Sequence, residues 1–82
     1  MFQVYILYSE HINRYYIGQT ENLEERLQSH LLGISGFTST AKDWVVAYTE
    51  TFATREQAIK RENEIKRKKS RKYIEWLVQG KG

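Results

Sequence analysis

The stretch "FQVYILYS", residues 2–9, constrains this chain more than any other. Alternate residues of a strand point to opposite faces. Phe2, Val4, Ile6 and Tyr8 therefore fall on one side, and Tyr5 and Leu7 on the other. Both sides are apolar, so the strand must be covered on both faces and belongs at the centre of a sheet. A chain of 82 residues can supply one modest core around such a strand, so one domain over residues 1–82 is expected. Cysteine and proline are both absent. Without disulfides or thiolate metal sites, packed aromatics and aliphatics must hold the fold, which suits a reducing cytoplasm. No apolar run approaches the ~18–20 residues of a membrane span, and no signal-peptide pattern opens the chain. A cytoplasmic protein with no membrane attachment is the expectation.

The following residues place the other elements. "EHIN" (10–13) supplies a turn, and "RYYIGQ" (14–19) returns as the second strand of a hairpin. A turn centred between His11 and Ile12 sets Leu7 opposite Tyr16 and Tyr5 opposite Gly18. Tyr5 and Tyr16 then share one face as diagonal neighbours. A slip of one residue would separate them. "TENLEERLQSHLLG" (20–33) reads as a helix, with Asn22 and Glu25 as a capping box, a stripe of Leu23, Leu27 and Leu31, and Gly33 as its stop. A hydroxyl-rich loop (34–42) leads to a third strand, "DWVVAYTETF" (43–52). Thr54 with Gln57 caps a second helix running to about Lys69. Ser70 caps a third through Val78, whose Tyr73, Ile74 and Leu77 form an apolar stripe with Trp76 beside it. The order is ββαβαα, an α/β domain.

Several polar residues fall where a core would exclude them. Glu62 lies four residues after Ala58 and three before Ile65, on the helix face that should meet the sheet. A carboxylate there must be paired or hold a cation, because burying it bare costs several kcal/mol. The plainer alternative is an i,i+4 pair with Lys66 at the edge of the stripe. Arg26 and His30, one turn apart, each follow a core leucine by three residues and flank the buried stripe of the first helix. Their plainer reading is a surface arginine and a histidine favoured by the helix C-terminus. Tyr5 and Tyr16 have ordinary packing as their alternative. Gly18 either relieves crowding or lets a backbone or a phosphate come close.

Charge is unevenly spread. Residues 1–54 hold three basic and six acidic residues, a balance of −3, whereas residues 55–82 hold ten and four, a balance of +6. Such clustering points to a polyanionic partner, with a solvated helix face as the alternative.

Taken in order, these residues resemble the GIY-YIG nuclease superfamily, and within it the small stand-alone bacterial members. "QVY" (3–5) stands where the first motif has Gly-Ile-Tyr and keeps its tyrosine, while "YIG" (16–18) matches the second unaltered. "ERLQSH" (25–30) supplies an arginine and a histidine, and "TREQAIKRENEIK" (54–66) resembles the segment bearing the metal-binding glutamate. The resemblance covers about residues 3–75. It departs from some members in having no asparagine after Asn63, and from the repair incision enzymes in having Gln19 where they have lysine.

The resemblance implies a three-stranded antiparallel sheet flanked by helices and a metal-dependent endonuclease acting on DNA. Glu62 would hold one Mg²⁺ or Mn²⁺, a hard cation that takes few carboxylates and keeps several waters. Arg26 would clamp a phosphate oxygen with its planar fork. Tyr16, or failing that Tyr5, would take the proton of the attacking water, oriented by His30. Phenols titrate near ~10, so that role depends on nearby positive charge. Gly18 and Gln19 would lie against the nucleic acid. The run "KRKKSRK" (66–72), with Lys66, Arg67, Lys68, Lys69, Arg71 and Lys72, would hold the DNA backbone without reading sequence. Selectivity would then come from DNA shape or from a protein partner. The competing expectation is a nucleic-acid-binding module that keeps the fold without turnover.

Overall fold

The computed structural model describes residues 1–32 and 41–80. The Gly33 helix stop and the hydroxyl-rich segment up to Thr40 lie outside the described residues. Among these residues three strands and three helices follow in the expected order: β1 (Phe2–Ser9), β2 (Arg14–Thr20), α1 (Leu23–Leu31), β3 (Val45–Phe52), α2 (Arg55–Lys68) and α3 (Arg71–Val78). The sheet is antiparallel with order β2-β1-β3, so the two-sided strand is central.

Each face of β1 meets its own layer. Val4 and Ile6 pack with Ala58 and Ile65 of α2 and Leu77 of α3. Tyr5 and Leu7, on the other face, pack with Ala41 and Trp44 and with Leu23, Leu27 and Leu31 of α1. Full burial of a side chain such as Ile6 or Leu7 contributes about 1.5–3 kcal/mol, and all four of Val4 to Leu7 are buried. The sheet is thus sandwiched, as its central strand requires.

Local chemistry sets where elements begin and end. Asn22 caps α1, accepting from the Glu25 N–H at 3.1 Å. The return leg of the box is absent, because the Asn22 N–H donates to Thr20 Oγ1 instead. That contact, with the Gln3–Thr20 pairing, keeps Thr20 in β2, and the helix starts at Leu23, directly after the expected cap at Asn22. Thr54 and Ser70 cap α2 and α3 by accepting from Gln57 and Tyr73 N–H groups. Lys69 closes α2 in the left-handed region, with φ 48°. The basic run therefore turns a corner between two helices and does not lie along one.

β3 departs from the simple strand. Its pairing shifts between Ile6↔Tyr48 and Leu7↔Val46, leaving Ala47 as an extra residue. Val45 and Val46 are exposed, and Trp44 fills the α1-side core ahead of them. Asp43, expected within the strand, instead accepts from Ser9 Oγ at 2.5 Å and the His11 N–H at 2.9 Å. These bonds hold its carboxyl below the usual range.

A polar network ties the α2 layer to β3. Arg61 grips Glu50 with two nitrogens, at 2.8 and 3.0 Å, and also reaches Tyr73 Oη and Glu64. Tyr48 donates to Glu50 at 2.5 Å. Burial raises the Glu50 pKa, but the bonds from Arg61 and Tyr48 outweigh it and leave a net depression. At the opposite end Asn13, with φ 54°, accepts from Tyr8 Oη and from two nitrogens of Arg71. The hairpin turn is thereby fastened to α3.

The hairpin register is the expected one, Leu7↔Tyr16 and Tyr5↔Gly18. It brings the Tyr5 phenol across Gly18, where an added Cβ would lie 2.6 Å from Tyr5 Oη and 3.2 Å from Tyr16 Cε2. Gly18→Ala therefore forces a buried ring to move and should cost about 1–3 kcal/mol, read as a lower urea midpoint. Tyr5→Phe removes the nearest atom, so in the double variant the two losses should sum to less than their separate values. Simple additivity would show that the ring is not what Gly18 accommodates.

Candidate active site

The register that seats Tyr5 over Gly18 also aims its hydroxyl at α1. Arg26 and His30 are one turn apart on that helix and present their heads to the same point. Arg26 Nε donates to Tyr5 Oη at 3.4 Å, and Tyr5 Oη lies 3.0 Å from His30 Nε2. His30 is buried, and burial together with the Arg26 charge lowers its pKa. A neutral imidazole follows, one that can accept the phenol proton at Nε2 while keeping its own at Nδ1. Tyr5 Oη thus links the guanidinium, which donates to it, with the imidazole. Burial raises the Tyr5 pKa, and the bond from Arg26 offsets only part of that rise. Bonding to Tyr5 in turn raises the Arg26 pKa.

Tyr16 completes the cluster. Its ring centroid is 4.9 Å from that of His30 and 6.3 Å from that of Tyr5. Tyr5 is fully buried, whereas Tyr16 is half-buried. The two phenols differ in access, which the strand pattern alone did not distinguish.

Glu62 stands in the other layer. It lies on α2, which packs across β1 and β2 from the face opposite α1. Its side chain is 17% exposed, and Oε2 takes the Lys66 ammonium at 2.6 Å, with Lys66 itself 49% exposed. The i,i+4 pair weighed as the plainer reading is therefore present. Burial is present too, since the carboxylate sits low in the helix face and its charge reaches Tyr5, adding to the rise of that pKa. Tyr5, Tyr16, Arg26 and His30 are in mutual contact, and Glu62 approaches them through electrostatics across the edge strand.

No group of three or more His, Cys, Asp or Glu side chains placed to hold a metal ion occurs among the described residues. A cation here has one carboxylate to bind. That donor set fits a hard, hydrated ion completing its shell with water and substrate oxygens. The Lys66 ammonium shows that positive charge is accommodated at Oε2.

Gln19 and Arg26 line a groove of about 480 Å³ with Thr20, Ser29 and Arg55. Gln19 Oε1 is buried without a hydrogen-bond partner among the described residues. Arg55 was missed in the sequence. It opens α2, stands 5.0 Å over the Phe2 ring and pairs with Glu21 at 3.7 Å. A lone arginine at a helix start carries no signal that would have singled it out.

The basic run is not uniformly available. Lys66 pairs with Glu62, Lys68 lies 5.3 Å over the Tyr73 ring, and Arg71 is held by Asn13, Glu75 and the Tyr15 ring. Arg67, Lys69 and Lys72 are exposed and have no partner among the described residues. Among the described residues no helix is long and apolar enough to cross a membrane.

The family model for the GIY-YIG catalytic domain matches residues 1–74. UPF0213 protein SH2523 of Staphylococcus haemolyticus (strain JCSC1435) is 38% identical over 55 residues, which span 66% of this chain and 67% of that protein. No solved structure matches at a significant level. A matched domain covering nearly the whole chain, with its tyrosines, arginine and histidine in contact around an unaltered YIG glycine, means that the chain belongs to the GIY-YIG family, whose domain implies nuclease activity.

Proposed function

We propose that this chain is a metal-dependent endonuclease that hydrolyses a DNA phosphodiester bond. The observation that carries this reading is the hydrogen-bonded cluster of Arg26, Tyr5 and His30, with Tyr16 at its accessible edge. Nucleases of this family generally use divalent metals and act on DNA. Here Glu62 would hold one Mg²⁺ or Mn²⁺. When bound, such an ion polarises the phosphate and stabilises the departing oxygen.

The chain's own residues divide the remaining work. Tyr5 keeps its proton, because burial disfavours its phenolate. Its role is to hold Arg26 and His30 in place. Tyr16 is the phenol with access to water, which supports it as the base that takes the proton of the attacking water. Arg26 is bonded to Tyr5 and also to Tyr16, and the face of its guanidinium fork would meet a phosphate oxygen as charge develops there. Gln19 would line the approach beside Arg26, and Gly18 serves the reaction by making room for Tyr5. Arg67, Lys69 and Lys72 are the members of the basic run most open to DNA phosphates. Sequence-neutral contacts of this kind leave selectivity to DNA shape or to a protein partner.

Glu62→Gln should abolish Mg²⁺-dependent cleavage and leave DNA binding near normal; full activity in that variant would sink the metal assignment. Tyr16→Phe should lower the cleavage rate by ~10²-fold or more with little change in thermal stability. Tyr5→Phe should instead lower stability by about 1 kcal/mol, the worth of a buried hydrogen bond, and affect the rate less. A larger rate loss at Tyr5 would exchange the two roles. Replacing Arg67, Lys69 and Lys72 with Gln should flatten the plot of log K against log salt. The expected change is about 2.7, from three contacts at ~0.9 each. An unchanged slope would move the DNA track elsewhere.

A further inference from the structure

Lys66 belongs to two surroundings at once. Its ammonium caps Glu62 Oε2 at 2.6 Å. Its side chain also lines a groove of about 300 Å³ between the β2 edge and the α2–α3 corner, with Arg14, Lys69 and Arg71, over a floor that includes Ile17 and Ile74. Four cations and no carboxylate line this groove. Positive charge so gathered is complementary to phosphate, although Lys66 and Arg71 each also have a carboxylate partner outside the groove. Arg14 and Lys69 have no partner among the described residues, so both are free to meet one.

The two ends of the Lys66–Glu62 pair differ in freedom. Glu62 is packed into the helix face, whereas Lys66 is half exposed on a flexible stem. An i,i+4 pair is worth only ~0.3–0.5 kcal/mol on a helix surface, and phosphate can compete for the ammonium with three further cations beside it. A cation binding Glu62 through Oε2 meets the same ammonium.

We infer that the groove is a phosphate site for the DNA strand beside the cut, and that Lys66 exchanges between Glu62 and that phosphate. In the free protein Lys66 covers the carboxylate. When a strand enters the groove, the phosphate draws Lys66 away and Glu62 becomes open to a divalent ion. DNA and metal then bind with positive coupling, which by linkage is the same in either order. The inference rests on Glu62 being the metal ligand.

Manganese titration followed by electron paramagnetic resonance tests it on the protein alone, apart from turnover. Lys66→Met should bind Mn²⁺ about five- to tenfold more tightly than wild type, within the usual range of coupled sites, and Glu62→Gln should lose the binding. DNA affinity is then read by fluorescence anisotropy in a Tyr16→Phe background, which holds cleavage down. Mn²⁺ should tighten duplex binding by a similar factor, and Lys66→Met or Arg14→Gln should shrink that gain. Unchanged Mn²⁺ affinity in Lys66→Met, with Glu62→Gln still losing it, overturns the exchange and leaves the metal assignment standing. Mn²⁺ binding that persists in Glu62→Gln overturns both.

Discussion

The hydroxyl of Tyr5 is bonded to His30 and Arg26 from inside the sheet, and the α1 side of the molecule is arranged around it. A buried phenol needs a partner, because an unmade hydrogen bond there costs about 1–3 kcal/mol. That need fixes how α1 may sit, since Arg26 and His30 must both turn their heads inward from a helix otherwise held by Leu23, Leu27 and Leu31. It also fixes the residue opposite, because the ring passes so close to Gly18 that a side chain there would collide with it. One hydroxyl thus links the YIG glycine, the helix and the neutral state of His30. A fold constraint and a candidate site coincide in it.

Much of this was legible because it follows from short-range periodicity. The two-residue alternation of 2–9 separated Tyr5 and Leu7 from Val4 and Ile6, and the two faces meet different helices as that alternation demands. Turn length set the register, and register set the tyrosine pair. Caps at Asn22, Thr54 and Ser70 were readable as single residues with a local bond. The features that escaped join residues far apart in the chain. Arg71 fastens a turn 58 positions away, and Arg61 crosses from α2 to Glu50 on β3. No pattern in "KRKKSRK" separates the arginine that holds a turn from the lysines that face water. The bulge at Ala47 is hidden for a similar reason, because it depends on how β3 meets β1 and not on the composition of β3.

Glu62 joined two readings that looked exclusive. The pair with Lys66 is present, and the proposed cation role is compatible with it, because the residue is set low in the helix while its partner reaches it from solvent. Surface pairs are weak, and weakness is what an occupant must have if it is to be replaced. A stronger internal partner, such as the fork that Arg61 gives Glu50, would neutralise the carboxylate permanently. The two glutamates differ in this respect more than in burial.

Strand order bears on why the two halves of the candidate site can cooperate. Tyr5, Tyr16, Arg26 and His30 gather on one face of the sheet, and Glu62 belongs to the helix on the other. Packed layers stand about 10 Å apart, too far for one phosphate to touch both through the middle of a sheet. The order β2-β1-β3 leaves β2 as an edge. Tyr16 and Gly18 are on that edge strand, and α2 packs over it from the other side. A substrate lying along the edge can therefore meet the phenol from one layer and the carboxylate from the other. A central β2 would bar that approach. β1 must be central because both of its faces are apolar, and the hairpin that pairs β2 to it leaves β2 outside. The same eight apolar-rich residues that organise the core thus leave β2, with Tyr16 and Gly18, at a border of the sheet.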